Sequence, residues 1–175
     1  MWWSRLLTAV VAASFLAACG FQPLYGGGKR GPTVAELASI RIEPIADRSG
    51  QILRNHLLDR LNTYGRPAHP AYVLRINLSD SSSGIAVRKS EFPTRTSLRI
   101  TAAYALTRVD TGASVFSASS AIEGGYNILN SEFATLAAEQ DVRERVLREV
   151  ALDIEARLAA FFRLQQEQPA APRTP

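Results

Sequence analysis

Two long runs of strict alternation flank Asp110-Thr111-Gly112, and they restrict the fold more than any other feature of the chain. Leu98, Ile100, Ala102, Tyr104 and Leu106 share one face of the first run. Phe116, Ala118, Ser120 and Ile122, continued by Tyr126, share one face of the second. A period of two commits both runs to β-strands, and an Asp-Thr-Gly link between them is a hairpin signal. The opposite faces carry Arg95, Ser97, Arg99, Thr101 and Ala103, then Ser117, Ser119 and Ala121, so they are small and polar. Such a sheet buries one side and leaves the other free.

The elements before the hairpin supply a cover for the buried side. Ile40 to Glu43 alternates and stops at Pro44. A helix then opens near Ser49-Gly50-Gln51, with Ser49 or Asp47 as N-cap. Leu53, Leu57, Leu61 and Tyr64 form one apolar stripe, and Gly65 with Pro67 ends it. Tyr72, Leu74, Ile76 and Leu78 alternate with Val73, Arg75, Asn77 and Ser79 as a half-buried strand. Asp80-Ser81-Ser82-Ser83-Gly84 reads as a polar turn, followed by a short strand from Ile85 to Arg88 and a break at Pro93. The last helix spans about Ser131 to Leu164. Its stripe is Leu147, Val150, Ala151, Ile154, Leu158, Phe161 and Phe162, with Phe133 and Leu136 nearby. Gln140, Arg143 and Glu144 interrupt it, which predicts a kink or two segments joined near residues 138–143. The order β-α-β-(β)-β-β-α predicts an α+β, two-layer sandwich. Two helices pack on one face of a mixed, mostly antiparallel sheet of about four strands.

The N-terminus sets the compartment. Arg5 supplies one positive charge, Leu6 to Leu16 is apolar, and Leu16-Ala17-Ala18 leads into Cys19, the single cysteine. The run is short for a membrane span and is organised as a secretory signal. Ending on small residues before Cys, it resembles a bacterial lipoprotein signal in which Cys19 is the lipidated residue. We therefore expect a signal peptide over 1–18, a flexible tether over 19–33, a folded domain over 34–164 and a disordered tail over 165–175. The hairpin tip is expected to project away from the tether.

A net charge of +4 is too small and too evenly mixed to argue for nucleic acid. With one cysteine, no disulfide forms within the chain. His56 and His69 are the only histidines and lack metal-ligand spacing, no serine stands in a nucleophile motif, and Gly26-Gly27-Gly28 opens no helix. Asp141 and Glu144 are crowded by Arg143, Arg145 and Arg148, which reads as surface ion pairs. No catalytic residue, metal site or cofactor is expected. A basic group remains: Arg75, Arg88, Arg95 and Arg99 alternate onto the face away from the helices, with Lys89 beside them. Glu91 is the only acid between Lys89 and Asp110, so the group reads as poorly neutralised. It is either an anion-binding surface or a solvated sheet face.

Cys19-Gly20-Phe21-Gln22-Pro23-Leu24-Tyr25-Gly26, the helix from Arg48 to Asn55 with Leu57 and Leu61, Tyr126-Asn127, and Arg157 to Phe162 carry a family likeness. Together they resemble LptE, the lipopolysaccharide-assembly lipoproteins of Gram-negative outer membranes, and most closely their alphaproteobacterial branch. The resemblance implies two helices on a four-stranded sheet and a non-enzymatic role. It also implies a lipid-anchored place on the periplasmic side of the outer membrane, and a partnership with the LptD β-barrel as plug and assembly factor. Lipopolysaccharide is the implied ligand; Arg88, Lys89, Arg95 and Arg99 are the candidate residues for it by charge and alternation. A different class stays open, an auxiliary lipoprotein of a lipid-transport ABC system. An anchored cell-wall enzyme is disfavoured by the missing catalytic residues.

Overall fold

Three strands of 14 residues each, β2 (Tyr72–Ile85), β3 (Arg95–Arg108) and β4 (Ser114–Asn127), pair antiparallel in sequence order. They dominate a computed structural model that describes residues 32–63, 65–85, 95–129 and 131–167. The short β1 (Ile40–Ile42) adds parallel to β2, giving a four-stranded sheet of order β1-β2-β3-β4. The crossover from β1 to β2 carries α2 (Asp47–Leu61), because parallel neighbours need a long connection. Helix α1 (Pro32–Ala38) precedes β1, and α3 (Glu132–Glu167) follows β4.

Each buried set matches its alternation. Leu98, Ile100, Ala102, Tyr104 and Leu106 are at most 4% exposed, and Tyr72, Leu74 and Ile76 join them. Leu53, Leu57 and Leu61 of α2 and Leu147, Val150, Ala151, Ile154, Leu158 and Phe162 of α3 close the core from the other layer. The α+β two-layer architecture is therefore as expected. Tyr72, Phe162, Phe161 and Phe116 form a chain of ring contacts with centroids 4.9–5.2 Å apart, tying β2 and the edge strand β4 to the last turns of α3.

Four local expectations are corrected. Asp80 to Gly84 is not a turn: β2 runs through it, with Asp80 opposite Ile100 and Gly84 opposite Thr96. The serines' turn preference is weak beside a ladder that β3 offers along its whole length. Helix α3 is unbroken over 36 residues, about 54 Å at helical rise. Its stripe passes the polar positions through buried Val142 and Val146. Half-buried Arg143 is accommodated because Asp80 and Glu139 bind its guanidinium. Neither Asp47 nor Ser49 caps α2. The cap position is Ala46, without a side-chain bond, and Asp47 itself has φ 64°. Finally, the hairpin turn lies beside the start of the domain. Val109 N–H donates to Ala71 O, and Ala71 N–H to Ser39 O, directly after α1. Ile85, Arg95 and Asn127 mark the opposite end.

Helix α1 had no periodic signal to reveal it. Pro32 opens it at a position where a missing N–H is harmless, and it packs on α3 and α2 through buried Leu37. Buried Asn62, at the C-cap of α2, holds this corner: its Nδ2 donates to Ala38 O at 3.2 Å and Ile40 O at 3.1 Å. Helix α3 continues past Leu164 to Glu167. The expected signal peptide and most of the tether lie outside the described residues, as do Tyr64, Pro93 and the last eight positions.

Candidate functional site: the open face of the sheet

Both α2 and α3 lie on one side of the sheet, so its other face is a grid of side chains that neither helix covers, most of them exposed. Register fixes the rows of that grid. Ser83, Ser97 and Gly125 form one row, Ser81, Arg99 and Glu123 the next, then Ser79, Thr101 and Ala121, then Asn77, Ala103 and Ser119. Arg95 and Asn127 close the grid at the end away from α1. Arg41 of β1 is exposed on the same face as Val73, its register partner in β2.

Arg95 and Arg99 project from this face as alternation requires, and both are exposed. They are two residues apart on one strand, so their Cα atoms are separated by about 7 Å. Arg88 and Lys89 lie outside the described residues, as does Cys19.

The structure corrects the expectation of poor neutralisation for two members of this group, Arg99 and Arg75. Glu123 of β4 sits opposite Arg99 and accepts from its guanidinium at 2.6 Å. Ser97 Oγ donates to the same carboxylate. The Ser97 hydrogen bond, then the Arg99 hydrogen bond and charge, hold the Glu123 carboxyl below the ordinary glutamate range. Arg75 is likewise met by Glu43 at 2.9 Å, from the end of β1. Neither acid is near its arginine in sequence; strand pairing brings them together. No carboxylate among the described residues pairs with Arg95. Its guanidinium instead lies over Gly125, where an added Cβ would come within 3.0 Å of Nε.

The chemistry of the face follows. It offers exposed hydroxyls from Ser79, Ser81 and Ser83, the guanidinium groups of Arg41 and Arg95 with no acid paired to them among the described residues, and those of Arg75 and Arg99 held by Glu43 and Glu123. Hydroxyls and guanidinium groups of this kind are the hydrogen-bonding and charge complement of anions and sugars. Among the described residues no group of three His, Cys, Asp or Glu is arranged to hold a metal ion. His56 is half-buried on α2 and His69 exposed in a loop. The expected surface pairs on α3 form, Arg145 with Asp141 at 3.6 Å and Arg148 with Glu144 at 3.5 Å. No helix of the described residues is long and apolar enough to cross a membrane.

The LptE family model, described as lipopolysaccharide-assembly, matches residues 37–158, from α1 to the buried Leu158 of α3. The chain belongs to the LptE family. That membership carries a role in lipopolysaccharide assembly and agrees with the fold and family expected from sequence. A structure of a lipoprotein from Caulobacter crescentus CB15 is similar at 28% identity and TM-score 0.63, covering 80% of this chain and 100% of that one. Two others share the fold. The minor lipoprotein of Acinetobacter baumannii is 17% identical, with TM-score 0.57 over 69% of this chain and 90% of its own. Rare lipoprotein B of Shewanella oneidensis is 15% identical, with TM-score 0.55 over 74% and 98%. Among curated proteins none matches this LptE-family chain.

Proposed function

We propose that this LptE-family protein is anchored through lipidated Cys19 to the periplasmic side of the outer membrane. There it partners the LptD β-barrel as plug and assembly factor, helping lipopolysaccharide reach the outer leaflet. The observation that carries the reading is the family match across nearly the whole folded domain. The N-terminal sequence supports the anchor, since an apolar run ending in Leu16-Ala17-Ala18-Cys19 fits lipoprotein processing. More than one acyl chain on Cys19 gives stable attachment where a single chain gives marginal binding. The small polar rows of the open sheet face support approach to a polar barrel interior.

Arg88, Lys89, Arg95 and Arg99 remain the candidates for lipopolysaccharide phosphates. Arg95 is the readiest of the described pair, because Glu123 competes for Arg99. The test is affinity purification of the tagged full chain from its own envelope. LptD should copurify, and Cys19→Ala should leave an unprocessed or mislocalised precursor. Recovery of an inner-membrane transporter instead of a barrel would reject the assignment.

A further inference from the structure

The two edges of the sheet are built differently. One is β1, three residues long and closed off by Pro44, a length and a residue that discourage pairing. The other is β4, 14 residues long, without proline or lysine. Its one charged residue, Glu123, is turned back to Ser97 and Arg99 on β3. Nothing among the described residues pairs with the far side of β4.

The direction of its backbone groups follows from two hydrogen bonds. Arg108 N–H points to Ala113 O at 2.9 Å, towards β4, and Val109 N–H points to Ala71 O at 3.0 Å, towards β2. Even-numbered residues of β3 thus face β4. By register their partners Ala118, Ser120, Ile122 and Gly124 spend their N–H and C=O groups on β3. Ser117, Ser119, Ala121, Glu123 and Gly125 present theirs to the free edge. Side-chain burial gives a second, independent sign. On the helix-facing row of β3 the residues Leu98, Ile100, Ala102, Tyr104 and Leu106 are at most 4% exposed, whereas on β4 Ser120 is buried but Phe116, Ala118, Ile122 and Tyr126 are only half-buried beneath α3.

We propose that β4 is a docking edge that takes up an extended segment of the protein partner as a fifth strand. An unpaired row of donors and acceptors at strand spacing is matched by another strand, and the segment's apolar side chains, at alternate positions, complete the half-buried row under α3. This rests on the reading that the chain works in complex with LptD.

Amide exchange resolved along β4 tests it in the full chain, alone and copurified with LptD. Alone, Ser117, Ser119, Ala121, Glu123 and Gly125 should exchange quickly and their even-numbered neighbours slowly. In the complex the five should slow by roughly tenfold or more. Ser119→Pro and Ala121→Pro remove one outward N–H each; both should fold and lose roughly tenfold or more in affinity for LptD. A wild-type complex whose β4 amides stay fast, and whose proline variants bind equally well, overturns the edge while leaving the function intact. Slow exchange of all five in the isolated chain also overturns it, since the chain itself or a second copy would then cover the edge. Failure of the wild type to bind LptD sinks the functional reading and the edge together.

Discussion

Gly124 of β4 lies against Val146 of α3 so closely that a Cβ built on the glycine would stand 2.7 Å from Val146 Cγ2. Val142 Cγ1 blocks the same space at 2.7 Å. The long helix thus reaches the sheet at its far end because one strand residue has no side chain. Gly124→Ala should destabilise the domain by about 1–3 kcal/mol through overpacking. Adding Val146→Ala should recover part of that loss, read as a higher melting temperature than the single valine truncation predicts from additivity. Strict additivity of the two would mean that the contact is not the constraint.

Leu158 and Ile154 are fully buried where α3 crosses the sheet. Truncating either to Ala should cost roughly 2–5 kcal/mol in denaturant unfolding, from lost burial and the cavity left behind. A value below about 1 kcal/mol for both would misplace the stripe.

Asn62 should behave as a strut. Asn62→Ala leaves the carbonyls of Ala38 and Ile40 without this donor and should cost about 1–3 kcal/mol. Faster amide exchange should be confined to α1, β1 and the end of α2. A uniform change across the domain would argue against a local tie.

Tyr104 has a buried hydroxyl without a hydrogen-bond partner. Burial, opposed by Arg157 and aided by Asp153, pushes its pKa up to about 12. Folding therefore favours the neutral phenol. That contribution is complete below the unfolded value near 10 and fades as pH rises from there through about 12. Tyr104→Phe should leave stability at pH 7 unchanged or slightly higher, and flatten its decline across that alkaline window. An alkaline melting curve identical to wild type would refute the assignment.

Glu123 is the acid that holds Arg99. Its depressed pKa means that the ion pair contributes above the ordinary glutamate value and is lost as pH falls through the lower folded value. Glu123→Gln should remove that acid-side dependence of the melting temperature. It should also free Arg99, strengthening lipopolysaccharide binding at neutral pH and steepening its salt dependence. Unchanged binding in Glu123→Gln, together with unchanged binding in Arg95→Glu, would reduce this face to a solvated surface.

Alternation and helical stripes are local, short-period signals, so the sequence by itself determined the hairpin, α2, the second half of α3 and the two-layer arrangement. The residues from Leu98 to Leu106 could bury only one face, and Leu53, Leu57 and Leu61 could face only one way. The candidate arginines were placed on the open face by the same period of two. Their electrostatics were decided by tertiary structure. Glu123 reaches Arg99, and Glu43 reaches Arg75, only through strand pairing between residues 24 and 32 positions apart. Pairing likewise turned Asp80 to Gly84 from a turn-forming cluster into strand, because a neighbouring ladder outweighs local preference. Where α3 passes Arg143, the guanidinium meets Asp80 of β2, a partner that only the fold brings near. The bare edge of β4 is of the same kind: which strand of a sheet is left without a neighbour is a property of topology, and no residue in that strand announces it.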